Sequence, residues 1–218
     1  MQNFLMKATD CQLDMAELEF DIFQESETLT IPGLTYIPNY VARLEQNQLL
    51  KEIDEQDWAI ESVESTRRIQ QHGYKYEYQN GILVACNYLG ALPDWAMRIA
   101  KRIYGDRLTE MVLDQATVNE YEPGQGLRSH IDCVTCFGDT LITLSLGSSY
   151  VMEFTHFQTQ EKREILLLPG SLLALKREAR YLWQHGVMPR DRDIYRGQEF
   201  VRSRRVSLTF REAAFPHK

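Results

Sequence analysis

The stretch Asn119-Glu120-Tyr121-Glu122-Pro123-Gly124-Gln125-Gly126-Leu127-Arg128-Ser129-His130-Ile131-Asp132 reads as a short strand, a Pro/Gly turn and a second strand carrying His-x-Asp. Side chains two apart on a strand point to the same side. His130 and Asp132 are therefore expected to project together, and so are Asn119 and Tyr121. An imidazole beside a carboxylate supplies two ligands of a 2-His-1-carboxylate centre, the arrangement of non-haem Fe(II) oxygenases. The second histidine must come from elsewhere, and the chain offers His72, His156, His185 and His217. His185 ends an apolar run 55 residues after His130. On its own it fits a structural histidine at a strand end equally well.

Working outward, Arg205 and Arg211 stand six apart in a strand-like run near the C-terminus. An even spacing puts both guanidiniums on one strand face, with Ser207 and Thr209 between them. A three-ligand metal centre leaves positions open. A dicarboxylic co-substrate can chelate there, and arginine's rigid fork matches a carboxylate's two oxygens.

The ordered set of Asn119-x-Tyr121, an eleven-residue step to His130, His-x-Asp, a distant histidine and Arg-x5-Arg resembles the AlkB family of Fe(II)- and 2-oxoglutarate-dependent dioxygenases, from about residue 66 to residue 213. The resemblance implies that His130, Asp132 and His185 hold Fe(II). It implies that Arg205 pairs with the distal carboxylate of 2-oxoglutarate and that Arg211 lies near the chelating one. Asn119 and Tyr121 would hydrogen-bond the co-substrate, and Ser207 would line its pocket. Oxygen and 2-oxoglutarate would be consumed, giving succinate, carbon dioxide and a hydroxylated C–H bond. On an N-methyl group the product would lose formaldehyde.

The implied partner is nucleic acid, single-stranded DNA or RNA, tRNA included, carrying an alkylated base. The segments around Glu122-Pro-Gly-Gln-Gly126 and Ser145-Leu-Gly-Ser148 are similar to the tRNA wobble-uridine hydroxylase branch. That branch fuses the oxygenase to an RNA-recognition module and a methyltransferase, for which 218 residues leave no room. Protein demethylation is an alternative substrate reading. A non-catalytic binding protein on the same fold is another, favoured by loss of a ligand or of the arginine pair, and all are present.

A second informative stretch runs from Arg67 to Tyr78. Tyr74, Tyr76 and Tyr78 alternate, which predicts a shared strand face, either buried in the core or exposed to a ligand. In the resembled family a similar Gly-Tyr-x-Tyr segment belongs to a lid over the substrate. Arg67, Arg68, His72, Tyr74 and Tyr76 are therefore candidate substrate contacts. Thr66, Arg67 and Arg68 stand where repair members often place a stacking aromatic, and an arginine can also stack on a base.

Composition bounds the remainder. Hydrophobic content of 44% and charged content of 25% are ordinary for a globular domain. No stretch resembles a secretory signal or approaches the roughly 18 apolar residues of a membrane span. Four scattered cysteines argue against a disulfide framework and for a reducing cytoplasm. Cys133-x-x-Cys136 has no second pair to complete a zinc site, and a redox role stays open. Net charge is -7, unevenly spread: residues 1–64 hold fourteen acidic and three basic residues, while residues 176–211 hold ten basic and four acidic. The second imbalance suits either an ordinary basic face or a local phosphate-binding surface.

In chain order, residues 1–30 read as an acidic extension, with Asp14–Phe23 as a short helix or strand. Residues 31–218 read as a single domain. A strand is expected from Leu34 to Tyr40 and amphipathic helices over 40–57 and 92–104, the second with an apolar stripe of Trp95, Ile99 and Ile103. At least seven short strands follow, with a polar loop over 189–203. The expected class is mainly β within α+β: a double-stranded β-helix, or jelly roll, with helices packed on one sheet. A cytoplasmic monomer is expected.

Overall fold

A computed structural model describes residues 31–60, 67–77 and 87–214. The expectations for residues 1–30, for Thr66 and for Tyr78 fall outside the described residues. Thirteen strands appear among the described residues. Seven build one antiparallel sheet in the order β1-β9-β6-β13-β4-β3-β2. They are β1 (Leu34–Ile37), β2 (Ala59–Ile60), β3 (Arg68–His72), β4 (Gln115–Tyr121), β6 (Leu141–Gly147), β9 (Leu172–Leu175) and β13 (Arg205–Arg211). A second sheet runs β5-β10-β7-β8, from Leu127–His130, Trp183–Val187, Tyr150–His156 and Lys162–Leu167.

Strand alternation divides the large sheet's residues between two cores. Ala116, Val118, Ile142, Leu144, Leu172, Val206, Leu208 and Phe210 form one face. Against it pack Leu49 and Ile53 of helix α1 (Arg43–Asp54) and Trp95, Ile99 and Ile103 of helix α2 (Asp94–Gly105). Each such aliphatic or aromatic side chain contributes about 1.5–3 kcal/mol by leaving water. The polar sides of the two helices are joined by ion pairs, Arg98 to Glu52 at 2.6 Å and Arg102 to Glu45. The opposite face presents Tyr121, Leu141, Leu173 and Leu175 to Tyr150, Phe154, Ile165, Leu167 and Trp183 of the small sheet. This is the double-stranded β-helix, with its helices on the large sheet. Among the described residues no helix is long and apolar enough to cross a membrane.

Several local expectations change. Helix α1 is shorter than 40–57, and its Leu44 is 84% exposed. Strands β4 and β5 flank the Pro/Gly turn as expected but belong to different sheets. The Pro123-Gly124 turn carries the chain from one sheet to the other. Strand β3 ends at His72, because Gly73 follows with φ +78. Tyr74 and Tyr76 therefore share no strand face. Tyr74 makes an isolated bridge to Tyr88 and packs on its ring at 5.0 Å.

The expected loop over 189–203 contains a hairpin, β11 (Arg192–Tyr195) and β12 (Gln198–Val201). Arg196 (φ +51) and Gly197 (φ +81) make its two-residue turn, both with the positive φ that suits strand twist. Asp193, fully buried, fastens the hairpin. It accepts from Arg202 Nε at 2.6 Å and Nη2 at 2.8 Å, and from the Val151 amide at 3.2 Å.

Candidate metal and co-substrate site

Strands β5 and β10 are antiparallel neighbours, with His130 opposite His185. The two rings lie 4.7 Å apart. Glycine makes this approach possible. A Cβ at Gly126 would collide with the Val187 carbonyl, and one at Gly186 would lie 2.8 Å from the Leu127 oxygen and the Ser129 nitrogen.

Asp132 sits beyond the end of β5, on a loop, not on the strand as expected. Its carboxylate still meets the histidines: Oδ1 is 3.1 Å from His130 Nε2 and 4.0 Å from His185 Nε2. Donor atoms of the three residues lie within 4.8 Å of one another.

The electrostatics suit a cation. His130 Nδ1 is 2.9 Å from the Arg128 carbonyl oxygen, which can only accept, so Nδ1 carries a proton and Nε2 faces Asp132. Burial lowers the His130 pKa, but the hydrogen bond to Asp132, the charge of that carboxylate and the bond to the Arg128 carbonyl together outweigh it and raise the pKa overall. Burial, helped by neighbouring His130, pushes His185 down to about 3. Its imidazole is thus neutral, the form that ligates metals. Burial alone would raise Asp132. The Arg211 guanidinium and the two histidines reverse this and hold it well below the usual carboxylate range. Two neutralisable nitrogens and one ionised carboxylate oxygen are a donor set that fits Fe(II).

The large sheet supplies the facing wall. Pairing of β13 with β4 sets Arg205 opposite Tyr121, Ser207 opposite Asn119, Thr209 opposite Thr117 and Arg211 opposite Gln115. The triad and this wall enclose a pocket of about 450 Å³. Arg211 donates to Asp132 Oδ2 at 2.7 Å, Gln115 Oε1 at 3.0 Å and Thr117 Oγ1 at 3.1 Å.

Arg205 is different. It is 1% exposed and donates to Ser145 Oγ at 2.9 Å and Ser207 Oγ at 3.4 Å. Its guanidinium lies 5.3 Å from the Tyr121 ring centroid and 5.6 Å from that of Tyr150. Its Nε has no hydrogen-bond partner, and among the described residues no carboxylate pairs with it. Burial lowers its pKa. A buried cation of this kind is costly unless an anion joins it.

The candidate substrate contacts divide. Arg67 and Tyr76 line the pocket. Arg67 is buried, with Nη1 3.4 Å from the Gly126 carbonyl and its guanidinium over Tyr121 at 5.3 Å. The Tyr76 ring packs 5.2 Å from Phe137. Arg68 and His72 lie on the opposite side, toward the helices, because strand alternation turns them there. Arg68 pairs with Glu120 at 2.7 Å and stacks over Trp58, and His72 meets Trp95 edge-on at 5.4 Å. Tyr74 is not part of the pocket wall.

Much of the basic excess over 176–211 is not free surface charge, although Arg177 and Arg196 are exposed. Arg180, Arg202, Arg205 and Arg211 are buried, and Arg190, Arg192 and Arg204 are ion-paired. Reading along the sequence also passed over Gln115 and Thr117, whose alternation with Asn119 and Tyr121 was the available signal. Nothing in the sequence marked Ser145 or Tyr150 as neighbours of Arg205. Cys133 and Cys136 are disulfide-bonded, which departs from the expectation of reduced thiols.

Comparison with known proteins fits this geometry. The model of the 2OG-Fe(II) oxygenase superfamily matches residues 33–211. The chain is 31% identical over 199 residues to the tRNA (carboxymethyluridine(34)-5-O)-methyltransferase alkbh8 of Xenopus tropicalis, covering 83% of this chain and 32% of that protein. It is 34% identical over 207 residues to the alkylated DNA repair protein ALKBH8 homolog of Arabidopsis thaliana, covering 84% of this chain and 59% of that one. The chain therefore spans about a third of the frog protein and under two thirds of the plant one. The solved structure of OsALKBH1 superposes with a TM-score of 0.62 at 14% identity, covering 84% of this chain and 98% of that chain.

Proposed function

This chain belongs to the 2OG-Fe(II) oxygenase superfamily, within its AlkB family, and on that premise we propose that it oxidises an alkylated or otherwise modified base in nucleic acid. It is a dioxygenase whose cofactors are Fe(II), 2-oxoglutarate and oxygen. One juxtaposition carries the reading: the His130, Asp132 and His185 donors and the uncompensated Arg205 guanidinium open into the same pocket.

In this reading His130, Asp132 and His185 hold the iron. Bound iron supplies oxygen activation, coupled to conversion of 2-oxoglutarate to succinate and carbon dioxide, and the outcome is a hydroxylated C–H bond on the substrate. Arg205 receives the distal carboxylate and orients the co-substrate, and Asn119, Tyr121 and Ser207 border it. Arg211 orients Asp132 through Oδ2 while Gln115 and Thr117 hold Arg211 in place. Arg67 and Tyr76 border the space left for the base, which must leave its stack to enter.

A second reading is hydroxylation of a tRNA wobble nucleoside, favoured by the frog relative, whose name specifies a modified uridine of tRNA. One experiment separates the readings. Protein reconstituted with Fe(II) is given oxygen, 2-oxoglutarate and a panel of methylated single-stranded DNA, methylated RNA and unfractionated tRNA. Nucleoside mass spectrometry then reports what changes. Loss of a methylated base supports dealkylation, and a hydroxylated tRNA nucleoside supports the second reading. Succinate release with all nucleic acids unchanged moves the substrate to protein.

A further inference from the structure

Strand β5 stops at His130, so strand pairing places the two histidines but not Asp132. Asp132 takes its position from the loop over 131–138. Backbone contacts hold the far end of this loop. Phe137 bridges Ala213, the Gly138 amide donates to the Glu212 carbonyl at 3.0 Å, and the Ala214 amide donates to the Cys136 carbonyl at 2.8 Å. The near end is reached by a side chain from 48 residues away. Arg180 Nη1 donates to the Asp132 carbonyl at 2.9 Å, Nη2 to the Cys133 carbonyl at 3.0 Å and Nε to the Gly138 carbonyl at 3.4 Å.

We propose that Arg180 is a positioning residue of the metal centre, fixing the backbone from which the Asp132 carboxylate is presented while Arg211 orients the carboxylate itself. The proposal rests on reading His130, Asp132 and His185 as the ligand set. Arg180 is 1% exposed, and among the described residues no carboxylate pairs with it. All three of its donor nitrogens are spent on this one loop. A planar guanidinium spreads its donors over three nitrogens and so reaches separated carbonyls along a turn, whereas an ammonium gathers its three on a single nitrogen.

The residue is well placed to couple two ligands. It lies in helix α3 (Arg177–Tyr181), and the chain reaches His185 five residues later, in register with His130. The helix has anchors of its own: the Lys176 amide donates to the Gly33 carbonyl and the Ala179 amide to the Pro32 carbonyl, each at 2.9 Å. Changing Arg180 should therefore loosen the backbone at Asp132 and Cys133 and leave the helix docked. Groups that orient a metal's ligands typically cost about 10–100-fold in metal affinity when lost.

The test titrates Mn(II) by calorimetry into wild type, Arg180→Lys, Arg180→Gln and His130→Ala. Thermal unfolding is measured alongside, and 2-oxoglutarate affinity is measured at saturating Mn(II). Arg180→Gln is expected to lose Mn(II) affinity by roughly 10–100-fold. Arg180→Lys, which keeps the charge and one donor nitrogen, should lose less. Affinity for 2-oxoglutarate at saturating Mn(II) should not change, because Arg180 does not touch that pocket wall. Unchanged Mn(II) affinity in a folded Arg180 variant, with affinity lost in His130→Ala, overturns the proposal alone. Unchanged affinity in His130→Ala overturns the ligand set itself. Loss of the fold in both Arg180 variants also overturns the proposal, assigning Arg180 to domain stability.

Discussion

Replacing Arg205 with methionine should strengthen the free protein and cripple its response to 2-oxoglutarate. The guanidinium is 1% exposed, bonded to two hydroxyls and unmatched by any described carboxylate. Removing an uncompensated buried charge and filling its volume with an apolar chain should stabilise the free protein by roughly 1–3 kcal/mol. At about 2–4 °C per kcal/mol for a chain of this size, the melting temperature should rise by about 2–12 °C. The co-substrate loses a desolvated, charge-assisted pair worth about 2–5 kcal/mol, which is roughly 30-fold to several thousand-fold in affinity. The assay is thermal unfolding with Mn(II) present, with and without 2-oxoglutarate. Wild type should be stabilised by the co-substrate, by about 2.7 kcal/mol at a hundred times Kd. The variant should start higher and respond little. A variant that melts lower and still responds normally to 2-oxoglutarate refutes the assignment of Arg205 as an unfilled carboxylate site.

Three further outcomes follow from the same geometry. Asp193→Ala leaves the fully buried Arg202 without its partner and should cost about 3–5 kcal/mol, read as a fall in denaturant midpoint; an unchanged midpoint contradicts the buried-pair reading. Gly186→Ala forces a Cβ to 2.8 Å from the β5 backbone, so it should weaken Mn(II) binding by separating His130 from His185, and unaltered binding refutes that. Metal uptake at pH 6 should release about one proton, since His130 sits above its ordinary value while His185, at about 3, and Asp132 are already deprotonated. Affinity should therefore fall as pH drops through the His130 pKa. Calorimetry in buffers of differing ionisation enthalpy counts the protons, and a release of two would mean that His185 is charged in the free protein.

The parts of this site that lie on regular strands were legible in the sequence. Period-two alternation sufficed to set Arg205, Ser207, Thr209 and Arg211 on one face, and pairing with β4 then brought Asn119 and Tyr121 beside them. Asp132 was assigned to the right partners by the wrong geometry, since nothing local reveals that β5 ends two residues early. Adding up charge over residues 176–211 misled, because a sum cannot separate a solvated arginine from one buried against carbonyls, rings or an aspartate. The β11–β12 hairpin was missed because Ile194 and Val201 face solvent, 65% and 71% exposed, while the buried alternate positions of β11 hold Asp193 beside Tyr195, so the strand pattern is inverted. Arg180 was invisible for a different reason: its contacts span more than forty residues and end on backbone carbonyls, which no side-chain pattern records.

In the proposed function, this pocket couples 2-oxoglutarate consumption to oxidation of a base. The direct measurement is stoichiometry: succinate formed against modified nucleoside consumed, with Fe(II) and oxygen, in wild type and His130→Ala. Succinate release should be stimulated by the nucleic acid and matched mole for mole by nucleoside conversion, with both absent in His130→Ala. Equal succinate release with and without nucleic acid, or base conversion that survives His130→Ala under excess Fe(II), would contradict that coupling.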